Sequence, residues 1–198
     1  MKKNKTLNKT LKVGFDLDGV ILDNPVRTFR AFAKALKFIK PIIFGQKKEP
    51  FYYPKSSWEK FLWWLLHKTS WRINPAFPLL ETVVKKRKIK AYIITGRYSC
   101  LKDDFEKWKN KLNRKKIFSG IFINKNDLQP HEFKIKMIKK LKLDIFVEDN
   151  WDIIEKLNSH TSAKIFWLTN IFDQFIPYNF KFKNLKEIIE FIIRKKNF

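Results

Sequence analysis

Val13-Gly14-Phe15-Asp16-Leu17-Asp18-Gly19-Val20 is an apolar strand that runs into two aspartates and a glycine turn. In an extended chain residues i and i+2 point to the same side, so Asp16 and Asp18 leave the strand's carboxyl end together and can approach one substrate atom. Gly19 lets the chain turn there without a Cβ clash. Two carboxylates in this layout suit a nucleophile and an acid/base partner. An isolated pair of the same spacing also serves as a plain loop cap, so the downstream sequence decides between the two.

Three further segments favour chemistry. Ala91-Tyr92-Ile93-Ile94-Thr95-Gly96-Arg97 is a β-branched apolar strand that stops at a small hydroxyl residue and a glycine. Lys134 opens an amphipathic segment in which Ile138 and Leu141 follow at i+4 and i+7, one helical face. Asp144-Ile145-Phe146-Val147-Glu148-Asp149-Asn150 is a second strand of buried character that ends in adjacent acids. Of the five glycines in the chain, Gly14, Gly19 and Gly96 lie inside these motifs.

The pattern predicts strands at Leu11 to Phe15, Ile89 to Ile94, Ile121 to Ile123, up to Val147, and Lys164 to Leu168. Helices are predicted at Leu101 to Leu112, from Lys134, at Asp152 to Leu157, and at Leu185 to Lys195 with Leu185, Ile188, Ile189 and Ile192 on one face. Strands alternating with helices predict an α/β fold, a Rossmann-like parallel sheet flanked by helices. Ligands of such sheets bind beyond the carboxyl ends of the strands, and all four motifs lie at that edge. The expected organisation is a basic tail over residues 1–10, a core formed by 11–23 and 74–198, and a small helical, aromatic-rich cap inserted at 24–73. In that insertion Val26, Phe29, Phe32, Ala33, Leu36 and Ile39 share a helical stripe, followed by breaker-rich Gly45 to Pro54 and the aromatic Trp58-Glu59-Lys60-Phe61-Leu62-Trp63-Trp64. Its Trp and Phe fit ordinary core, a substrate lid, or a peripheral surface resting on a membrane interface.

The ordered set DLDGV, IITGR, Lys134 and VEDN resembles the haloacid dehalogenase (HAD) superfamily, over the whole chain after about residue 10. The resemblance implies Mg²⁺ dependence and phosphoryl transfer through an aspartyl-phosphate. Asp at position 18 matches its phosphatases and phosphomutases, whereas the dehalogenase branch lacks it. By the same resemblance Asp16 is the nucleophile and Asp18, protonated, the general acid and later base. Mg²⁺ is held by the Asp16 carboxylate, the Asp18 carbonyl and Asp149, while Thr95 and Lys134 grip phosphoryl oxygens. Glu148 either binds the metal or supports the groups that do. Gly96 and Arg97 are candidate substrate contacts, Arg97 having a surface ion pair as its alternative role. Lys136 is the rival of Lys134, although only Lys134 has the expected spacing to Ile138, Leu141 and Asp144. Asp152 reads as a helix residue and His131 as a polar loop residue near Lys134. The late Trp167-Leu168-Thr169-Asn170 and Ile176-Pro177-Tyr178-Asn179 resemble the 5'(3')-deoxyribonucleotidase-like branch, which implies a nucleoside monophosphate substrate. A sugar phosphate or other metabolite is the alternative.

Composition narrows the classes further. With 198 residues the chain suffices for one core domain and an insertion. Phe61-Leu62-Trp63-Trp64-Leu65-Leu66 is its longest candidate apolar run, far short of the ~18 residues that cross a bilayer. The basic MKKNKTLNKTLK is followed by a strand and not by an apolar signal core. With a lone cysteine, Cys100, this leads to the expectation of a reducing, cytoplasmic setting. His67, His131 and His160 have no metal-ligand spacing. A net charge of +24 suits nucleic-acid binding or end processing. The lysines are dispersed, however, and with the abundance of Phe, Ile and Asn they match an AT-rich genome's codon bias, so this is the alternative and not the first reading. Neither the oligomeric state nor the physiological substrate is written in the composition.

Overall fold

The structure, a computed structural model, describes residues 10–24, 51–86, 88–170, 173 and 175–194. Strand β1 (Leu11–Phe15) is buried at Val13, Gly14 and Phe15 and lies inside a six-stranded parallel sheet. The sheet also holds β4 (Ile89–Thr95), β5 (Gly120–Ile123), β6 (Ile145–Glu148), β7 (Lys164–Leu168) and β8 (Lys181–Phe182), in the order β5-β4-β1-β6-β7-β8. Register places Phe15 beside Ile93 on one side and Val147 on the other, so the segments that follow β1, β4 and β6 emerge together at one edge.

Helices cover both faces, as continuous apolar strands require. Val13, Phe15 and Ile93 pack in one cluster with α6 (Leu185–Arg194), whose Leu185, Ile188, Ile189 and Ile192 are buried. Ile94, Phe146 and Trp167 pack in the other with α4 (Pro130–Leu141) and α5 (Trp151–His160), through Met137, Ile138, Ile154 and Leu157. Each such side chain contributes about 1.5–3 kcal/mol of transfer free energy, an upper figure because unfolded chains are partly compact. Helix α3 (Lys102–Leu112) follows a short 3₁₀ turn after β4. The expected α/β sheet is therefore present with boundaries shifted by a residue or so, and β8 is a sixth strand absent from the expectation.

Two helices differ from the sequence expectation. Helix α4 begins at Pro130 and not at Lys134. Proline at the first helical position lacks only an amide that would be unpaired anyway, and Gln129 and Glu132 cap the end reciprocally. A helix absent from the expectation, α2 (Phe77–Lys85), buries Phe77, Leu80 and Val83; its three apolar anchors are too few for a clear periodic signal.

Residues 25–50, with the predicted stripe from Val26 to Ile39, lie outside the described residues. The stems of the insertion are described. Strand β2 (Leu22–Asp23) pairs antiparallel with β3 (Arg72–Ile73), and Arg72 bonds Asp23 at 2.9 Å. Between them stands α1 (Ser57–Lys68), started by a Ser56/Glu59 capping box and carrying no buried residue. No described helix is long and apolar enough to cross a membrane.

Candidate active site

Asp16 is the first residue past β1, and its amide still donates to Val147 O at 2.9 Å. The ladder thus carries the backbone to the sheet edge before releasing the side chain. The chain then folds on itself: Leu22 N donates to Leu17 O and Gly19 N to Leu22 O, both at 2.8 Å. Gly19 has φ 81°, a left-handed conformation that disfavours any Cβ. Asn74, on the return of the insertion, fastens this turn by donating to Val20 O at 3.2 Å through its side chain and to Ile21 O at 2.9 Å through its amide.

Two of the expected acids, Asp16 and Glu148, meet at one buried ammonium, that of Lys134. Lys134 Nζ lies 2.6 Å from Glu148 Oε2 and 3.1 Å from Asp16 Oδ1, with 2% of its side chain exposed. The other Glu148 oxygen accepts the amides of Asp149 and Asn150 at 3.2 and 3.1 Å. Glu148 therefore bonds Lys134 with one oxygen and two backbone amides with the other. Thr95 is buried at the end of β4, and its hydroxyl accepts the Arg97 amide at 3.3 Å. Gly96 lies where a Cβ would come within 2.8 Å of Pro130 Cβ, so the loop after β4 can rest directly on the start of α4. Lys136, the rival lysine, is exposed.

Electrostatics set these groups apart from surface acids. Burial pushes the Asp16 carboxyl up, and Asp149 and Asp18 add to this while Lys134 opposes it. Burial likewise raises Glu148 against the pull of Lys134. For Lys134, burial alone would lower its affinity for the proton, but Asp16 and Glu148 more than reverse this and keep it charged.

Carboxylate oxygens of Asp16, Glu148 and Asp149 come within 4.8 Å of one another, all three residues being buried. Three carboxylates against one lysine leave the cluster short of positive charge, and hard oxygen donors at this separation fit Mg²⁺. Each of the three residues offers one oxygen to such an ion. Mg²⁺ is accordingly expected to raise the melting temperature by about 5–10 °C at a hundredfold excess over its dissociation constant, or ~2.7 kcal/mol. The sign with pH follows from the raised carboxyls. In the metal-free fold they cost stability increasingly as pH climbs above the ordinary carboxylate range, and Mg²⁺ needs them ionised. The shift is therefore larger near about pH 8 than near about pH 5.5, and differential scanning fluorimetry with Mg²⁺ or EDTA measures it.

Asp18 occupies a different environment. Arg97 Nε and Nη2 each donate to one of its oxygens at 2.7 Å, and Arg97 Nη1 donates to Asp104 at 2.7 Å. Lys68, the last residue of α1, meets the other Asp104 oxygen at 2.9 Å. Burial would push the Asp18 carboxyl up, but Arg97 overrides it and holds the group well below the usual carboxylate range, helped by His67 and Ser70. One sequence expectation changes here. Arg97 is not in a surface ion pair, since only 1% of its side chain is exposed. Asp18 is paired through both oxygens with that guanidinium. Lys68, Ser70 and Asp104 escaped the sequence reading because nothing in their spacing marks them; His67 was visible only as a lone histidine. His131 sits in the first turn of α4 with its ring 5.5 Å from that of Phe51, so it belongs to a helix and not to a loop. Asp152 lies in the first turn of α5, as expected.

Residues 51–53 contact the loops at this edge. Phe51 N donates to Gln129 Oε1 at 3.1 Å, Tyr53 OH to Asp127 at 3.1 Å, and the Tyr53 and Tyr98 rings meet edge to face at 4.9 Å. A cavity of about 710 Å³ opens beside the same turn, lined by Gly19, Asp23, Trp71, Arg72, Lys183 and Lys186 among others. None of the acids Asp16, Asp18, Glu148 or Asp149 lines it, so it is not the phosphoryl site itself.

No protein-family model matches the sequence, and no curated protein does. Solved structures do. A HAD hydrolase of family IA, variant 3, from Entamoeba histolytica aligns with a TM-score of 0.56 at 16% identity, covering 96% of this chain and 100% of that one. CbbY from Rhodobacter sphaeroides in complex with phosphate aligns with a TM-score of 0.56 at 14% identity, over 91% and 96% of the two chains. A mutant of CbbY in complex with xylulose-(1,5)-bisphosphate gives a TM-score of 0.56 at 13% identity, over 90% and 96%. The chain has the α/β, Rossmann-like fold of the HAD hydrolases.

Proposed function

We propose that this protein is a Mg²⁺-dependent phosphomonoester hydrolase that works through an aspartyl-phosphate on Asp16. The observation that carries this reading is the buried set of Asp16, Lys134, Glu148 and Asp149 at the carboxyl edge of the sheet, one turn from Asp18. Neighbours of the same fold hold phosphate and a sugar bisphosphate, which supports a small phosphorylated substrate.

An Asp16 carboxylate oxygen attacks phosphorus in line while the bond from phosphorus to the leaving oxygen breaks. Asp18, released from Arg97 and protonated from solvent before the step, delivers its proton to that oxygen, then as a carboxylate takes one from the water that attacks the phosphoryl group and frees Asp16. Lys134 and the Thr95 hydroxyl follow the charge on the phosphoryl oxygens. Held by Asp16, Asp149 and the Asp18 carbonyl, Mg²⁺ would supply the positive charge that a dianionic phosphate beside three acids lacks. Residues 51–73, as the described part of the proposed cap, limit water and contact the leaving group.

On substrate class, a sugar phosphate is supported by the xylulose-(1,5)-bisphosphate complex of CbbY. The nucleoside monophosphate reading rests on the acidic pair Glu148-Asp149 and on Trp167-Leu168-Thr169-Asn170 and Ile176-Pro177-Tyr178-Asn179. In that segment the Tyr178 hydroxyl donates to Ile165 O at 2.7 Å and the ring packs edge-on to Trp151 at 5.5 Å, contacts within the protein that favour the sugar phosphate. The test is phosphate release from sugar phosphates, nucleoside monophosphates and an aryl phosphate, with Mg²⁺ or EDTA. Metal-dependent release is expected, with sugar phosphates ahead of nucleotides; a preference for nucleotides would reverse the substrate assignment. Silence across the panel from folded protein would refute the hydrolase.

A further inference from the structure

The positive charge that the phosphoryl site leaves unused is gathered by the fold at the opposite edge of the sheet. All strands of that sheet run parallel, so each loop that enters a strand lies at the amino edge, away from Asp16. Three such loops carry the cations. Lys86 and Lys88 lead from α2 into β4, Arg114 and Lys116 from α3 into β5, and Lys140 and Lys142 from the end of α4 into β6; all six are exposed. The strand order β5-β4-β1-β6 sets these loops along one side of the molecule. With ~4.8 Å between strands they span about 15 Å.

Acids are sorted the other way. In residues 85–88, 109–119 and 139–144 the one acid among the described residues is Asp144, whose Oδ2 accepts the Lys12 amide at 2.8 Å. The loops at the carboxyl edge hold Asp16, Asp18, Asp127 and Asp149. Among the described residues none of the six cations makes an ion pair, whereas nearby Lys115 is neutralised by Glu81 at 2.8 Å. Lysine in the last turn of a helix answers the helix dipole, but that attraction fades beyond the turn and does not account for Lys88 or Lys116. Two more features run against ordinary stability. Register sets Lys12 beside Lys90 in adjacent strands at this edge, and like charges side by side repel. Lys116 and Lys142 have φ 48° and 51°, the left-handed region in which glycine is the least strained residue. A lysine-rich composition supplies lysines; it does not sort acids away from them.

We propose that this amino edge binds the phosphate backbone of a nucleic-acid duplex without reading its sequence. A row of cations ~15 Å long complements a polyanion that carries one charge per ~1.7 Å of axis, and lysines meet phosphate as point charges that do not discriminate bases. A lipid surface asks for apolar side chains to enter it, and a single strand asks for open rings on which bases stack. The exposed large apolar residues lie on α1, at Trp71 and at Phe175, none on these loops. Trp108 of α3 packs against the core, with Lys111 Nζ 4.8 Å from its ring centre. The surface lies across the sheet from Asp16, so the proposal stands independently of the hydrolase reading.

The test is fluorescence anisotropy with a labelled DNA duplex of about 20 base pairs whose ends are hydroxyls, so that no terminal phosphate invites the phosphoryl site. With about four phosphates neutralised, log K falls with log salt at a slope of about −3.6, a loss of about a hundredfold between about 50 and 200 mM NaCl. Lys88→Gln/Arg114→Gln/Lys116→Gly/Lys142→Gly removes four of the charges, with glycine at the two left-handed positions to spare the fold. This variant is expected to bind about tenfold more weakly or worse at about 100 mM salt, with a slope shallower by about 2 or more. Lys102→Gln/Lys125→Gln/Lys183→Gln/Lys186→Gln removes the same charge from the carboxyl edge, beyond the ~10 Å over which salt lets charges act, and stays within about threefold of wild type. On wild type itself, lysine acetylation mapped by mass spectrometry shows the duplex shielding Lys88, Lys116 and Lys142 but not Lys102 or Lys125, a readout that needs no variant to fold. Equal weakening in the two variants, a flat salt dependence, no shielding of the amino edge, or capture by anionic vesicles in preference to the duplex would overturn the proposal.

Discussion

Asp16→Asn is expected to reduce phosphate release by roughly 10⁴-fold or more, because removal of a nucleophile disables the unit and not one increment of it. The fold should not suffer. Asparagine keeps the shape of the side chain, and Lys134 keeps its 2.6 Å contact with Glu148. Burial makes the ionised Asp16 carboxyl costly, with Asp149 and Asp18 adding repulsion. At neutral pH the metal-free variant should therefore melt at or slightly above the wild-type temperature. The sign is that of an acid whose folded-state value is raised: its stability cost is absent at low pH and grows as pH rises above the ordinary carboxylate range. A variant that is inactive yet no less stable separates chemistry from folding. The measurement pairs phosphate release on the preferred substrate with thermal unfolding in EDTA.

Lys134→Met carries the opposite signature. It leaves Asp16 and Glu148 buried with no ammonium between them, and breaking a buried pair by removing one partner costs about 3–5 kcal/mol. For a chain of this size that corresponds to a melting temperature lower by roughly 6–20 °C. Turnover falls as well, on the order of 10²–10³-fold, as for the loss of one donor to a developing oxyanion. Adding Glu148→Gln should recover about 1–3 kcal/mol, since the carboxylate that Lys134 supports is then gone. Mg²⁺ should narrow the stability deficit by supplying charge to the same acids. Chemical denaturation of the single and double variants, with and without Mg²⁺, measures all three effects.

The sheet was legible because its signals are local. β1, β4 and β7 are short apolar runs closed by acids, hydroxyls or breakers, and their parallel arrangement follows from the helices between them. The meeting of Asp16, Lys134, Glu148 and Asp149 was legible for a related reason: each stands at the end of a strand or on a helix that the topology brings to one edge. The setting of Asp18 was not. Its state depends on Arg97, 79 positions away in sequence, and on Asp104 and Lys68, whose residue types are ordinary on any helix of a lysine-rich chain. A buried guanidinium cannot be told from a surface one by spacing. Nor did the sequence show that Glu148 bonds the lysine with one oxygen, because that depends on two backbone amides folding back to its second oxygen. The aromatic α1 was visible as a segment, but whether its Trp and Phe would be covered was not. In the structure Trp58 and Phe61 are exposed by 65% and 49%, so among the described residues they do not form the core that their composition first suggested.

The central claim is that Asp16 becomes covalently phosphorylated. The most direct measurement mixes the protein with Mg²⁺ and the fastest aryl phosphate, quenches in acid within the first turnover, and maps the phosphoryl group by peptide mass spectrometry. A hydroxylamine-labile phosphoryl group on the peptide that contains Asp16, absent from Asp16→Asn, is the predicted result. Phosphate release with no acyl-phosphate at Asp16, or with the phosphoryl group on another residue, would contradict it.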